Sequence, residues 1–63
     1  MCFNITPTDH KNPIPCTSAW DIFNTVVAIT DNETEAHDVW KKAGRLDINA
    51  SLIMNDYSIR RVA

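Results

Sequence analysis

The amino-acid sequence predicts a small all-α domain, with two or three short helices behind an irregular, proline-rich N-terminal arm. All three prolines of the 63-residue chain fall between positions 7 and 15, and proline disfavours helical geometry in the residue before it. Beyond them, apolar residues recur at helical spacing in two stretches, and the single glycine, Gly44, ends the second stretch. We therefore predict an arm over residues 1–17 and one helical domain over residues 18–63.

The arm is expected to be irregular or extended. Pro7, Pro13 and Pro15 each lack an amide donor. Phe3 and Ile5 alternate with polar residues, a pattern that also fits a short strand-like piece. A flexible tail whose apolar side chains dock on the core remains the alternative.

The first predicted helix begins after Ser18, whose hydroxyl is suited to cap the first turn, with Asp21 at the positive end of the helix dipole. The stretch that follows has an apolar face wider than one short helix could cover. Its members are Trp20, Ile22, Phe23, Val26, Val27 and Ile29. Because many residues here are β-branched, a strand over residues 24–30 is the alternative.

The second predicted helix runs from about Glu33 to Ala43. Asn32 followed by Glu35 is a capping pattern, and Gly44 is expected to end the helix in left-handed geometry. The apolar stripe consists of Ala36, Val39, Trp40 and Ala43. A third helix beginning near Ile48 is favoured over a hairpin of residues 52–54 and 57–62, and the hairpin stays open as the alternative.

No residue pattern predicts a metal site, a cofactor or catalysis. Cys2, His10, Cys16 and His37 are the candidate ligands, and no pair has the short spacing of a zinc site. A single glycine cannot form a phosphate-binding loop, and no nucleophile is accompanied by a recognisable base. We therefore expect no enzyme, no disulfide and no bound group, and we expect His37 to face solvent or an interface.

Size favours self-association. A chain of 7.1 kDa buries only about 60% of its unfolded surface, which leaves a small core. We therefore predict a homodimer that regulates a cellular protein by binding it, with tryptophan as the main anchor. The predicted interface residues are Trp20, Ile22, Phe23, Val26, Ile29, Val39, Trp40 and Ile59.

A small DNA-binding transcriptional regulator of the helix-turn-helix type is the alternative function. Its contacts would come from basic residues after position 40, namely Lys41, Lys42, Arg45, Arg60 and Arg61. The formal net charge is −2, whereas a protein that binds nucleic acid by counterion release normally carries a basic excess. Nucleic acid is therefore the less favoured partner.

The chain shows no secretory signal pattern and no long apolar run, so we expect a soluble, cytoplasmic protein without a membrane span. A short chain with no signal, no enzyme motif and no metal site resembles the small accessory, early-region proteins of temperate bacteriophages. This resemblance implies regulation of a cellular partner by binding. It is carried by size and by these absent features, and it assigns no residue a role.

Overall fold

The chain forms a four-stranded antiparallel sheet with two helices on one face, in a computed structural model that describes residues 1–9 and 12–63. The sheet order is β2-β1-β4-β3, so the first and last strands of the sequence lie in the middle. In chain order the elements are β1 (Phe3–Pro7), β2 (Ile14–Cys16), α1 (Ala19–Thr30), α2 (Glu33–Ala43), β3 (Ser51–Ile53) and β4 (Tyr57–Arg61).

The predicted all-α class is wrong, and the fold is the α+β alternative with a C-terminal hairpin. The irregular N-terminal arm is also wrong, because Phe3–Pro7 and Ile14–Cys16 are strands, as the alternation of Phe3 and Ile5 allowed. Phe3 lies opposite Arg61 in the central strand pair, at a sequence separation that local patterns cannot reveal. Pairing with β4 supplies β1 with the hydrogen bonds that an isolated extended segment lacks.

Two prolines of the supposed arm are compatible with the sheet because β2 is an edge strand. Pro15 lies opposite Asn4, and Pro13 immediately precedes the strand. Proline is tolerated at an edge, where its missing N–H removes no bond of the ladder. The proline cluster therefore marks a sheet edge.

Helix α1 begins where its capping residue predicts. The Asp21 amide donates to Ser18 Oγ at 3.2 Å, and the alternative strand over residues 24–30 is not formed. Asp31 caps the C-terminus of the helix, where it adopts left-handed geometry with φ 54° and donates its amide to the Val27 carbonyl. A two-residue connection then turns the chain into α2.

Helix α2 also matches its predicted bounds. The Glu35 amide donates to Asn32 Oδ1 at 3.0 Å, which caps the N-terminus. Gly44 differs from expectation, because its φ of −62° is right-handed and its amide continues the helical pattern to the Trp40 carbonyl. Left-handed geometry occurs instead at Asp31 and Asn49.

The predicted third helix is replaced by the β3–β4 hairpin. Tyr57 and Ile59 are buried, whereas Ser58 and Arg60 point to the other side of the sheet. This alternation has the period of a strand. The Met54 amide donates to the Tyr57 carbonyl at 2.9 Å and closes the turn.

The core lies between the helices and one face of the sheet. The Tyr57 hydroxyl, at the border of this core, donates to Glu35 Oε2 at 2.8 Å and links β4 to α2. The opposite sheet face carries polar side chains such as Asn4, Thr6 and Arg60. Pro7 is also buried, at the end of β1. The hydrophobic residues of the core are Phe3, Ile5, Cys16, Ile22, Val26, Ala36, Val39, Ala43, Tyr57 and Ile59.

Candidate interaction surface

The predicted interface residues divide between the interior and the surface of the chain. Ile29 is half-buried in the C-terminal half of α1, away from the aromatic residues near its start. Four of the predicted interface residues belong to the chain's own core, namely Ile22, Val26, Val39 and Ile59. Because a docking partner cannot reach them without unfolding the protein, we do not include them in the candidate surface.

The remaining three predicted residues, Trp20, Phe23 and Trp40, come together at the surface of the helical layer. Together with Ala19 and His37 they line an apolar groove of about 300 Å³ between α1 and α2. We call these five residues the aromatic patch. It is the main exposed aromatic feature of the described residues.

The rings of the patch are ordered by their neighbours. Trp20 and Phe23 stack nearly parallel, with centroids 5.7 Å apart and an interplanar angle of 8°. His37 and Trp40 meet edge to face, with centroids 5.6 Å apart and an angle of 68°. Both are favourable aromatic geometries, so the groove has preformed walls.

Helical spacing explains how the patch is assembled. Trp20 and Phe23 are three residues apart on α1, and His37 and Trp40 are three apart on α2, so each pair shares a helix face. The short connection between the helices brings the two faces together. Sequence reasoning placed His37 at solvent or an interface but did not pair it with Trp40, although their spacing carries that signal.

Trp20 is the unusual member of the patch, because 69% of its surface is exposed. An indole is among the largest apolar side chains, and most of its area usually lies in a core or an interface. Here Phe23 holds one face of the ring while the other remains open. Trp20 is thus a rigid apolar anchor whose ordering on binding would cost little entropy.

The patch continues into neighbouring surface and has a mixed charged rim. Trp40 also borders a smaller apolar depression of about 150 Å³ beside Met1. His37 also borders a second depression, whose lining includes the charged residues Asp38 and Lys41.

A larger cleft of about 710 Å³ lies elsewhere, between the second half of α1 and the sheet turns. Its lining includes the exposed carboxylates Asp9 and Asp56 and the aliphatic residue Ile29. Among the described residues no buried side-chain polar atom lacks a hydrogen-bond partner, so no buried, unsatisfied side chain points into the cleft. We therefore base the candidate site on the aromatic patch.

The residues of the DNA-binding alternative do not form one surface. Lys41, Lys42 and Arg45 are exposed around the end of α2. Arg60 lies on the opposite, open sheet face, where its guanidinium donates to Asn49 Oδ1 at 3.3 Å. Arg61 Nη1 donates to the Leu46 carbonyl at 2.8 Å.

Helix-turn-helix recognition also needs a second helix after the turn. The predicted helix from Ile48 is wrong, because residues 51–61 form the hairpin. The arrangement on which this alternative depended is therefore not formed.

The cysteines and histidines show no chemical arrangement within residues 1–9 and 12–63. No cluster of at least three His, Cys, Asp or Glu side chains suited to a metal occurs there, and His10 lies outside the described residues. Cys2 and Cys16 are free thiols. Burial raises the pKa of the Cys16 thiol, and its Sγ lies 3.6 Å from Thr25 Oγ1.

Within the described ranges, neither helix has the length and apolar character needed to cross a bilayer. Comparison with protein-family models, with curated proteins and with solved structures finds no match for the chain.

Proposed function

We propose that the protein acts by binding another protein through the aromatic patch and thereby regulates it, without catalysing a reaction. The observation that carries this proposal is the exposed Trp20 ring, 69% accessible and stacked on Phe23 at the rim of an apolar groove. Tryptophan is enriched among the residues that dominate binding energy at protein interfaces. We place this interaction in the cytoplasm, in line with the expectation from the sequence.

The groove indicates the chemistry of the partner. It lies between two helices and is lined by side chains at helical spacing, so a third helix fits along it with an apolar stripe facing inward. A volume of about 300 Å³ accommodates one or two large apolar side chains. Ala19 is the small residue of the lining and permits close approach. We therefore expect an amphipathic helix with apolar anchors about one turn apart.

A peptide selection tests this proposal. A library of randomised helical peptides is selected against the wild-type protein, and the enriched peptides are measured by titration. We expect apolar residues at positions i and i+3 or i+4. Trp20→Ala should weaken binding about 30-fold, because a hot-spot residue contributes roughly 2 kcal/mol.

Ile53→Ala is the matched control, since Ile53 is also an exposed large apolar residue, at 75%, but lies on β3 outside the patch. It should leave peptide affinity unchanged. Trp20→Ala should remain folded, with its unfolding free energy within about 1 kcal/mol of wild type, because the ring is mostly exposed. Peptides that bind wild type and Trp20→Ala equally, or a selection that enriches no binder, would contradict the proposal.

A further inference from the structure

The two edges of the sheet differ in their capacity to pair with another strand. The Val62 amide donates to the Cys2 carbonyl, and the Thr8 amide donates to the Asp56 carbonyl. The backbone N–H and C=O groups of even-numbered residues in β1 thus bond to β4. Those of odd-numbered residues point toward β2. Since Phe3 lies opposite Cys16, the backbone of Pro15 points outward from the sheet.

The β2 edge is therefore blocked by its own sequence. Pro15 occupies an outward-pointing position and has no N–H to donate there. Pro13 lies two residues earlier, has the same backbone orientation and also lacks an N–H. Proline on an edge strand is a recognised means of preventing strand addition. An added strand would find no amide donor at either position.

The β3 edge has no such protection. The Arg61 amide donates to the Ala50 carbonyl at 3.0 Å, and the Met54 amide donates to the Tyr57 carbonyl at 2.9 Å. Positions 50, 52 and 54 thus bond inward, which leaves the N–H and C=O groups of Ser51 and Ile53 pointing outward. The strand Ser51–Ile53 contains neither proline nor a charged residue.

We propose that the β3 edge is a self-association site, at which the β3 strands of two copies of this chain pair antiparallel about a two-fold axis and join their sheets. With the axis beside Leu52, Ser51 of one copy lies opposite Ile53 of the other. Each such pair exchanges two N–H···O=C bonds, so the two symmetry-related pairs use all the outward groups. This inference extends beyond the proposed function, because it involves a separate surface.

A second copy fits this edge for two reasons. An antiparallel pair of identical strands is self-complementary under two-fold symmetry, and an uncharged strand places no like charges opposite each other. The edge strand also carries exposed apolar surface, since Ile53 is 75% exposed. Pairing would cover part of that side chain.

The expected dimer dissociates on dilution. A standard stable interface buries about 800 Å² per partner, which is roughly a fifth of the 4185 Å² that one chain exposes. A three-residue strand and its flanking loop supply only part of that area. The aromatic patch lies on the helical layer, so a dimer formed at this edge would keep two patches available.

Sedimentation velocity over a concentration series tests the inference, with wild type, Ile53→Pro, Ile53→Lys and Trp20→Ala. Ile53→Pro repeats at the β3 edge the blocking proline of β2, and it removes an outward N–H while leaving the bonds to β4. Ile53→Lys keeps the backbone donor, adds an edge charge and decides the matter should the proline variant unfold. Wild type should shift from monomer to dimer, and both Ile53 variants should stay monomeric.

Trp20→Ala separates this inference from the proposed function, because it should lose peptide binding and dimerise like wild type. Amide exchange gives a direct readout, since protection of the Ser51 and Ile53 amides should rise with protein concentration. The inference is overturned by a wild-type monomer at every concentration, by a dimer that survives in a folded Ile53→Pro or Ile53→Lys variant, or by a dimer lost through Trp20→Ala alone.

Discussion

Replacing Tyr57 by Phe isolates the hydrogen bond that ties the sheet to α2. The Tyr57 side chain is 1% exposed, and its hydroxyl donates to Glu35 Oε2 at 2.8 Å. Hydrogen bonds to charged acceptors contribute about 1.5–3 kcal/mol net. Because Glu35 is half-exposed, its carboxylate regains water in the variant. We therefore expect a loss of about 1.5 kcal/mol, or a fall in Tm of roughly 6–12 °C for a domain of this size.

The buried Tyr57 hydroxyl also makes the effect depend on pH. Burial, followed by the hydrogen bond and negative charge of Glu35, raises the pKa of Tyr57 above its ordinary value of 10.0. The folded protein thus keeps a proton that the unfolded chain releases above about pH 10. The contribution of Tyr57 to the free energy of unfolding should be fully present below that pH. Above it, the contribution should fall by up to about 1.4 kcal/mol per pH unit. Tyr57→Phe lacks this proton, so the advantage of wild type over the variant should shrink.

Urea unfolding followed by tryptophan fluorescence measures both effects, at about pH 7 and again from about pH 9 to 11. Other groups titrate equally in both proteins, so their effect cancels in the difference between the unfolding free energies of wild type and Tyr57→Phe. Glu35→Gln is the matched control, since it keeps an acceptor near the hydroxyl and removes the charge. Equal stability of Tyr57→Phe and wild type at neutral pH, or a difference that stays constant to pH 11, would refute the reasoning.

Three further stability predictions use the same unfolding assay. Ile59→Ala should cost about 2–5 kcal/mol because it empties a core position, whereas Ile53→Ala, on the exposed edge strand, should cost under about 0.5 kcal/mol; equal losses would show that the sheet faces are assigned wrongly. Asp31→Gly should stabilise by about 0.5 kcal/mol, because Asp31 holds φ 54° and glycine relieves that strain. Asn32→Ala should cost about 1 kcal/mol through loss of the α2 cap, and an unchanged midpoint would contradict that role.

The helices could be predicted from the sequence because their signals are local. Ser18 and Asn32 each accept a backbone amide three residues ahead, and both helices begin directly after them. The strands could not be predicted in the same way. Phe3 is paired with Arg61, and the benefit of that pairing is absent from any short window of sequence.

The candidate surface was only partly predictable. Helical spacing grouped Trp20 with Phe23, and the apolar face of α1 was wider than one neighbour could cover. That width did not reveal which residues would be left outside. The sheet, which the preferred all-α prediction lacked, packs against α1, where Ile22 and Val26 are buried and Trp20 stays at the surface. Burial of a residue depends on the layer it faces. The sequence therefore indicated that α1 has more apolar residues than the core can cover, but not which of them stay exposed.

The position of β4 has a consequence for how the protein is made. The strand that follows all the others along the chain, Tyr57–Arg61, lies between β1 and β3 and joins the two halves of the sheet. A nascent chain can form its helices early, but β1 has no inner neighbour until residue 61 has left the ribosome. Formation of the sheet is therefore expected to wait for β4 and to be all-or-none. A premature stop before Tyr57 should yield a short-lived fragment that proteases clear, with no partly active product.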